Sequence, residues 1–187
     1  LEFFRNFDMP AVKIPSCCLT DDALLAAARR SGRPVVLSTG MSTWEQIQHA
    51  VKVLGGKPLT NTVLLHCTST YPCPPAELNL RVLGTLREAF ACPVGYSGHE
   101  VGLQTTVAAT VMGACFIERH ITLDRAMWGS DQAASIEPGG FARLVRDIRV
   151  VEQAMGDGLK RGYDSEITVM KRLRLTPGVE PVRAKAG

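Results

Sequence analysis

VGYSGHEVGLQTTVAATVMGACFIERHIT, residues 94–122, is the stretch whose reading decides the fold. Two segments that overlap its ends, CPVGYSGH (92–99) and CFIERHIT (115–122), read as short strands, each with a histidine near its C-terminal end. The glycine-, threonine- and alanine-rich segment between them, residues 102–113, is long enough for one helix. A strand–helix–strand unit makes its two strands parallel neighbours. His99 and His120 then stand at equivalent ends of adjacent strands, about 5 Å apart in the sheet direction. Two imidazoles converging there form a candidate divalent-metal site. On spacing alone a second reading stays open: two unrelated histidines, one in a turn and one on a rim.

Working outward, the same architecture repeats. Residues 11–14 (AVKI), 34–38 (PVVLS) and 62–67 (TVLLHC) are strand candidates. The last two are aliphatic and β-branched runs, as in strands buried on both faces. Helices are expected over 23–30, capped by Thr20 or Asp21, and from a Ser42 or Thr43 cap through Leu54. A third is expected over 78–90, with Leu83, Leu86 and Ala89 or Phe90 facing inward. After the last strand comes a long loop, LDRAMWGSDQAASIEPGG (123–140), then an amphipathic helix over 141–154. The opening LEFFRNFD reads as the tail of a helix, a sign of truncation, and residues 157–187 read as a polar, basic linker or tail.

Strict β/α alternation with short loops argues for an α/β fold with a parallel sheet. The choices are a barrel or an open doubly wound sheet. No G-x-G-x-x-G follows any strand, which weakens the dinucleotide-binding choice. Polar residues recur just after the strands, at Ser16, Ser38, Ser69, Ser97 and His120, 22 to 31 residues apart. The C-terminal strand ends are where a barrel places its active site.

The 187 residues suffice for one sizeable core but fall short of the roughly 250 of a complete (β/α)8 barrel. The formal charge of +3 is modest, and no basic stripe with interleaved aromatics argues for nucleic acid. No apolar run approaches the roughly 18 residues of a membrane span. The six cysteines form no C-x-x-C pair; Cys67 and Cys115 fall in apolar runs as small hydrophobes, and a reducing, cytoplasmic setting is expected. There is no G-x-S-x-G elbow and no P-loop.

Within the last strand Glu118 shares a face with His120 while Arg119 points the other way. Glu118 is thus a candidate ligand, a group that orients a ligand, or a buried ion-pair partner. His66 reads as a core histidine and His49 as an exposed one on a helix. Ser16, Ser38, Thr39, Thr68, Ser69 and Ser97 form a ring of hydroxyls which, with Lys13, suits a phosphate and a carboxylate on one small ligand. Singly, each such hydroxyl reads as a helix cap before it reads as a ligand group; it is the whole ring that points to a ligand. In the long loop, Ser130, Asp131 and Ser135 could hydrogen-bond a polyol, and Trp128 is a sugar platform, a lid anchor or simple packing.

KIPS (13–16), LSTGM (37–41), LLHCTSTYP (64–72), GYSGH (95–99) and ERHIT (118–122), in this order and spacing, resemble the sialic acid synthase family: the N-acetylneuraminate synthases and their spore-coat and surface-polysaccharide relatives. The resemblance covers about residues 1–160. It implies a TIM-type (β/α)8 barrel, represented here by roughly the last five βα units over residues 1–156. Residues 157–187 would then lead toward a small antifreeze-like C-terminal domain. It also implies condensation of phosphoenolpyruvate with an N-acetylated hexose such as N-acetylmannosamine, giving a nonulosonic (sialic) acid and phosphate. The implied metal is Mn2+, with Mg2+ or Co2+ as alternatives, on His99 and His120. Those two histidines and Glu118 are the implied catalytic residues; Lys13, Ser16, Ser38, Ser69 and Ser97 hold phosphoenolpyruvate, and Tyr71 and Asp131 lie near the sugar. A homodimer is implied for the full-length protein. Ser69 stands where some members have asparagine, and Cys18 where several have glutamate, which leaves the acceptor sugar open. The alternatives are a synthase for a related acid such as legionaminic or pseudaminic acid, and an inactive metal-binding half-barrel. With the first three βα units absent, the chain alone is expected to have little or no activity.

Overall fold

The computed structural model describes residues 6–176. The helix tail expected at the start falls largely on residues 1–5, outside the described residues. The chain divides into two compact units, residues 1–151 and 152–187.

Five parallel strands form the sheet of the first unit: β1 (Val12–Ile14), β2 (Val35–Ser38), β3 (Thr62–Cys67), β4 (Val94–Gly98) and β5 (Ile117–Arg119). Their spatial order is their chain order, β1-β2-β3-β4-β5. The connecting helices are α1 (Asp22–Arg30), α2 (Trp44–Leu54), α3 (Val82–Phe90) and α4 (Gln104–Val111), with α5 (Pro138–Met155) following β5.

Strand periodicity divides the sheet into two faces. Ile14, Leu37, Leu64, Val94 and Tyr96 point to one side, where they join Leu25 of α1, Ile47 and Val51 of α2, Leu83, Leu86 and Phe90 of α3, and Ala109 of α4 in one buried core. Each fully buried leucine there contributes about 1.5–3 kcal/mol. The alternate residues, Lys13, Val36, Ser38, Leu65, Cys67, Gly95, Ser97 and Glu118, face the opposite side, and the strand register places them beside one another. Helices on one face and an unbroken strand order are the mark of a barrel wall; an open doubly wound sheet reverses its order and carries helices on both faces. The unit is a half-barrel of TIM type, and its concave face carries the polar residues.

Local sequence explains most boundaries. Asp21 caps α1 by accepting from the Leu24 amide at 2.9 Å, and Thr43 caps α2 in a reciprocal box with Gln46. The third helix starts later than its expected position 78. Pro75–Glu77 forms a separate 3-10 turn, and Asn79 adopts a positive φ of 42° before α3 begins at Val82. Cys115, expected in a strand core, is exposed, because β5 begins only at Ile117.

In the second unit, α6 (Asp164–Leu173) occupies the stretch read as tail. Asp164 and Glu166 lie in its first turn, and Lys171 and Arg172 in its last, each complementing the helix dipole.

Candidate active site

The concave face ends in a cleft of about 290 Å³ at the C-terminal strand ends. Lys13, Ser16, Ser38, Ser69, Tyr71, Ser97, His99, Glu118 and His120 all line it. Each comes from a strand or the loop after it, so the parallel register delivers five βα units to one place.

One half of the cleft is a lysine–hydroxyl–carboxylate chain. Lys13 Nζ donates to Ser38 Oγ at 2.9 Å and lies 3.5 Å from Glu118 Oε1. The same carboxylate oxygen accepts from Ser97 Oγ at 2.8 Å. Glu118 thus holds a cation and a hydroxyl in place, in an ion pair that is about one-third exposed and not the buried one expected. Ser16 Oγ accepts from the Gly40 amide at 3.0 Å and approaches Cys67 Sγ at 3.6 Å. Ser69 Oγ lies 3.7 Å from the same sulfur. A Cβ at Gly40 would stand 2.3 Å from Ser69 Oγ and 2.8 Å from Ser16 Oγ, so only glycine lets the β2–α2 loop pass this close.

The other half is aromatic. The rings of His99 and His120 lie 5.1 Å apart, as the parallel register requires, and Tyr71 packs on both, at 4.2 and 5.5 Å. His99 Nδ1–H donates to the Thr68 carbonyl at 2.8 Å, and His120 Nδ1 faces Asp131 Oδ2 at 3.6 Å. The Thr68 carbonyl occupies His99 Nδ1, which leaves Nε2 as the ring nitrogen that could meet a cation. Among the described residues no group of three or more His, Cys, Asp or Glu side chains is placed to hold a metal. Two imidazoles alone would leave the remaining positions around a divalent ion to water and oxygen ligands. Asp131 reaches the site through His120.

Electrostatics follow the packing. Burial lowers the His120 pKa, and the neighbouring His99 lowers it further. For His99 burial also disfavours charge, but the Cys67 sulfur and the Thr68 carbonyl outweigh it and raise its pKa. Burial pushes the Cys67 thiol up; hydrogen bonds with His99, Ser16 and Ser69 bring it below the ordinary thiol value.

Several residues take other places. Thr39 and Thr68 donate to the carbonyls of Leu65 and Glu77, so they tie loops together instead of completing the hydroxyl ring. His66 is buried with Nε2 2.6 Å from the Leu78 carbonyl, and His49 pairs with Asp22 at 2.9 Å on the surface. Trp128 is 99 % exposed, which rules out simple packing. Ser130 and Ser135 bond within their own loop, to Asp131.

Cys67 and Cys17 were not anticipated, yet both line the cleft. Cys67 is no inert hydrophobe: its sulfur sits between Ser16, Ser69 and His99. Strand parity carries the signal, since Cys67 is paired with Ser97 and shares its face.

A half-barrel with a lysine–hydroxyl pocket beside paired imidazoles at its strand ends defines a class, the α/β barrels of TIM type. Within it, residues 1–160 match the NeuB family, and the chain belongs to that family. It is 39 % identical over 175 residues to the N-acetylneuraminate-9-phosphate synthase of Homo sapiens, covering 92 % of this chain and 48 % of that protein. It is likewise 39 % identical over 168 residues to the N,N'-diacetyllegionaminic acid synthase of Campylobacter jejuni, covering 89 % and 50 %. The solved N-acetylneuraminic acid synthetase of Leptospira borgpetersenii superposes with a TM-score of 0.80 at 33 % identity, covering 94 % of this chain and 62 % of that one. The chain spans about half the length of the curated relatives it matches.

Proposed function

We propose that this chain carries the central part of a nonulosonic acid synthase site, which condenses phosphoenolpyruvate with an N-acetylated hexose such as N-acetylmannosamine. The observation that carries the reading is the meeting, in one cleft, of Lys13 and the strand-end hydroxyls with the His99–His120 pair. The similarity to synthases of neuraminic and legionaminic acids supports it and leaves the acceptor open between them.

In this reading Lys13, Ser16, Ser38, Ser69 and Ser97 bind the phosphate and carboxylate of phosphoenolpyruvate, with Glu118 keeping the lysine and Ser97 in position. Tyr71 and Asp131 border the acceptor. The enol carbon C3 attacks the aldehyde of the open-chain sugar, water adds at C2, and the tetrahedral intermediate loses phosphate. The products are a nine-carbon 2-keto acid and inorganic phosphate. His99 and His120 would hold a divalent ion, manganese with magnesium or cobalt as alternatives, which supplies Lewis-acid polarisation of the aldehyde. In this reading Glu118, whose Oε1 accepts from Ser97 Oγ at 2.8 Å, belongs with His99 and His120 to the catalytic set.

The full-length protein is proposed to act as a homodimer in the cytoplasm. All six cysteines are free, consistent with a reducing compartment. No helix among the described residues is long and apolar enough to cross a membrane. Because the chain spans about half of its relatives, a second reading applies to the chain by itself: a half-barrel that binds metal without turnover.

The test is phosphate release by the full-length protein with phosphoenolpyruvate and Mn2+ across a panel of N-acetylated aldoses. Release with one or more acceptors, lost on chelation and restored by Mn2+, is expected. No release with any acceptor overturns the reading.

A further inference from the structure

Behind the two histidines, on the helix side of the sheet, lies a buried ion pair that none of the expected site residues requires. Glu100 follows His99 and Arg119 precedes His120. Both side chains are 1 % exposed. Arg119 Nη1 meets Glu100 Oε1 at 3.2 Å, and Nη2 donates to the Glu100 backbone carbonyl at 2.6 Å. One guanidinium thus grips both the side chain and the main chain of the residue next to His99, while its own backbone leads directly into His120.

The surroundings are built around this grip. Thr105 and Thr106 hydroxyls donate to Glu100 Oε1 at 2.7 and 2.8 Å, and Tyr96 donates to Oε2 at 2.9 Å. Arg119 Nη1 also reaches Thr106 Oγ1 and the Gly102 carbonyl. Gly98 supplies the room: a Cβ there would stand 2.6 Å from Glu100 Oε2 and 3.1 Å from Arg119 Cδ. The β4–β5 register pairs Gly98 with Arg119, so the clamp sits one residue before the level of the histidines.

We propose that the Glu100–Arg119 pair is a positioning device that fixes the spacing and orientation of His99 and His120, and thereby sets the affinity of the cleft for a divalent cation. Burying two charges is expensive, and replacing such a pair by apolar residues is often no loss of stability. What an apolar pair lacks is direction. A planar fork bonded to both a carboxylate and a carbonyl admits one relative placement of the two strand ends. Imidazole ligands need such support to present their lone pairs together.

The inference rests on the metal-site reading, and the experiment separates the two. Mn2+ binding is measured by electron paramagnetic resonance of free ion in the full-length protein, with thermal melting alongside. Wild type is compared with Arg119→Lys, Thr106→Val, His99→Ala and Leu83→Ala. Leu83 lies in the core on α3 and serves as a control for stability loss alone. Arg119→Lys keeps the charge and loses the fork; it is expected to weaken Mn2+ binding at least tenfold. Thr106→Val removes one bond to each partner at nearly constant shape, stays folded, and is expected to weaken binding severalfold. Leu83→Ala is expected to lower the melting temperature while changing Mn2+ affinity less than twofold. If Arg119→Lys does not fold, Thr106→Val decides. Wild-type affinity in the folded variants, or a loss in Leu83→Ala equal to theirs, overturns the clamp. Binding by wild type that His99→Ala leaves intact overturns the metal site itself.

Discussion

Lys13 is the residue on which the proposed anion pocket turns, and its setting gives a number. It donates to Ser38 and faces Glu118, and in the proposed function it also meets the anionic substrate. A charge-assisted hydrogen bond contributes about 1.5–3 kcal/mol. Lys13→Met in the full-length protein is therefore expected to lower kcat/KM for phosphoenolpyruvate by about 10- to 100-fold; unchanged steady-state kinetics would remove Lys13 from the pocket. His66 gives a prediction of another kind. Burial holds its pKa below the ordinary histidine value of about 6.5, which favours the neutral ring in the native state. Below that value the unfolded chain binds a proton that the native state refuses, and stability falls as pH drops. It is fully present above about pH 6.5. His66→Gln should flatten the dependence of melting temperature on pH between 7 and 5; parallel curves for the two proteins would contradict this. The two metal-ligand candidates, Lys13 and the serines were legible because each lies in or just after a strand of recognisable pattern. The role of Cys67 was not, because sulfur in an aliphatic run has the composition of a core residue, and only register shows which side of the sheet it faces.

At the scale of elements, the β2–α2 connection does two separable jobs within four residues. Gly40 makes way for Ser16 and Ser69, and Thr43 caps α2. Gly40→Ala should disrupt the anion pocket, with loss of phosphoenolpyruvate binding by calorimetry and only a small change in melting temperature. Thr43→Ala should cost about 1 kcal/mol in denaturant unfolding and leave that binding intact. If the two variants behave alike, the division of labour is wrong. Element existence and type came through well from periodicity, and α1, α2 and β3 lie close to where caps and β-branched runs put them. The late start of α3 and the short β5 were obscured because propensity does not see an Asn79 in positive φ or the point at which pairing stops. The helix α6 was hidden by polarity, although its charge order from acidic to basic was already helical.

For the molecule as a whole, the half-barrel leaves β1 and β5 each paired on one side only among the described residues. Unpaired strand edges template further pairing. The 187-residue chain expressed by itself is therefore expected to associate as its concentration rises, by light scattering. A monodisperse monomer across the accessible range would contradict that. The α/β class followed from β/α alternation and the barrel was implied by the family resemblance, whereas the wall itself shows only in the observed strand order. Pattern within a strand carries no information about which strand lies beside it.

A sheet whose spatial order is its chain order can be assembled by near neighbours alone. Each new strand docks on the one made just before it, across a loop of similar length, so the entropic cost of closure stays nearly constant from step to step. Growth from β1 toward β5 then matches the direction of synthesis on the ribosome. Lys13, Ser16, Ser38 and Ser69 are laid down with the first three βα units, Ser97 and His99 with the fourth, and Glu118 and His120 with the fifth. The nascent half-barrel would gather its lysine and strand-end hydroxyls before the last strand brings both the second imidazole and the carboxylate that braces Lys13 and Ser97.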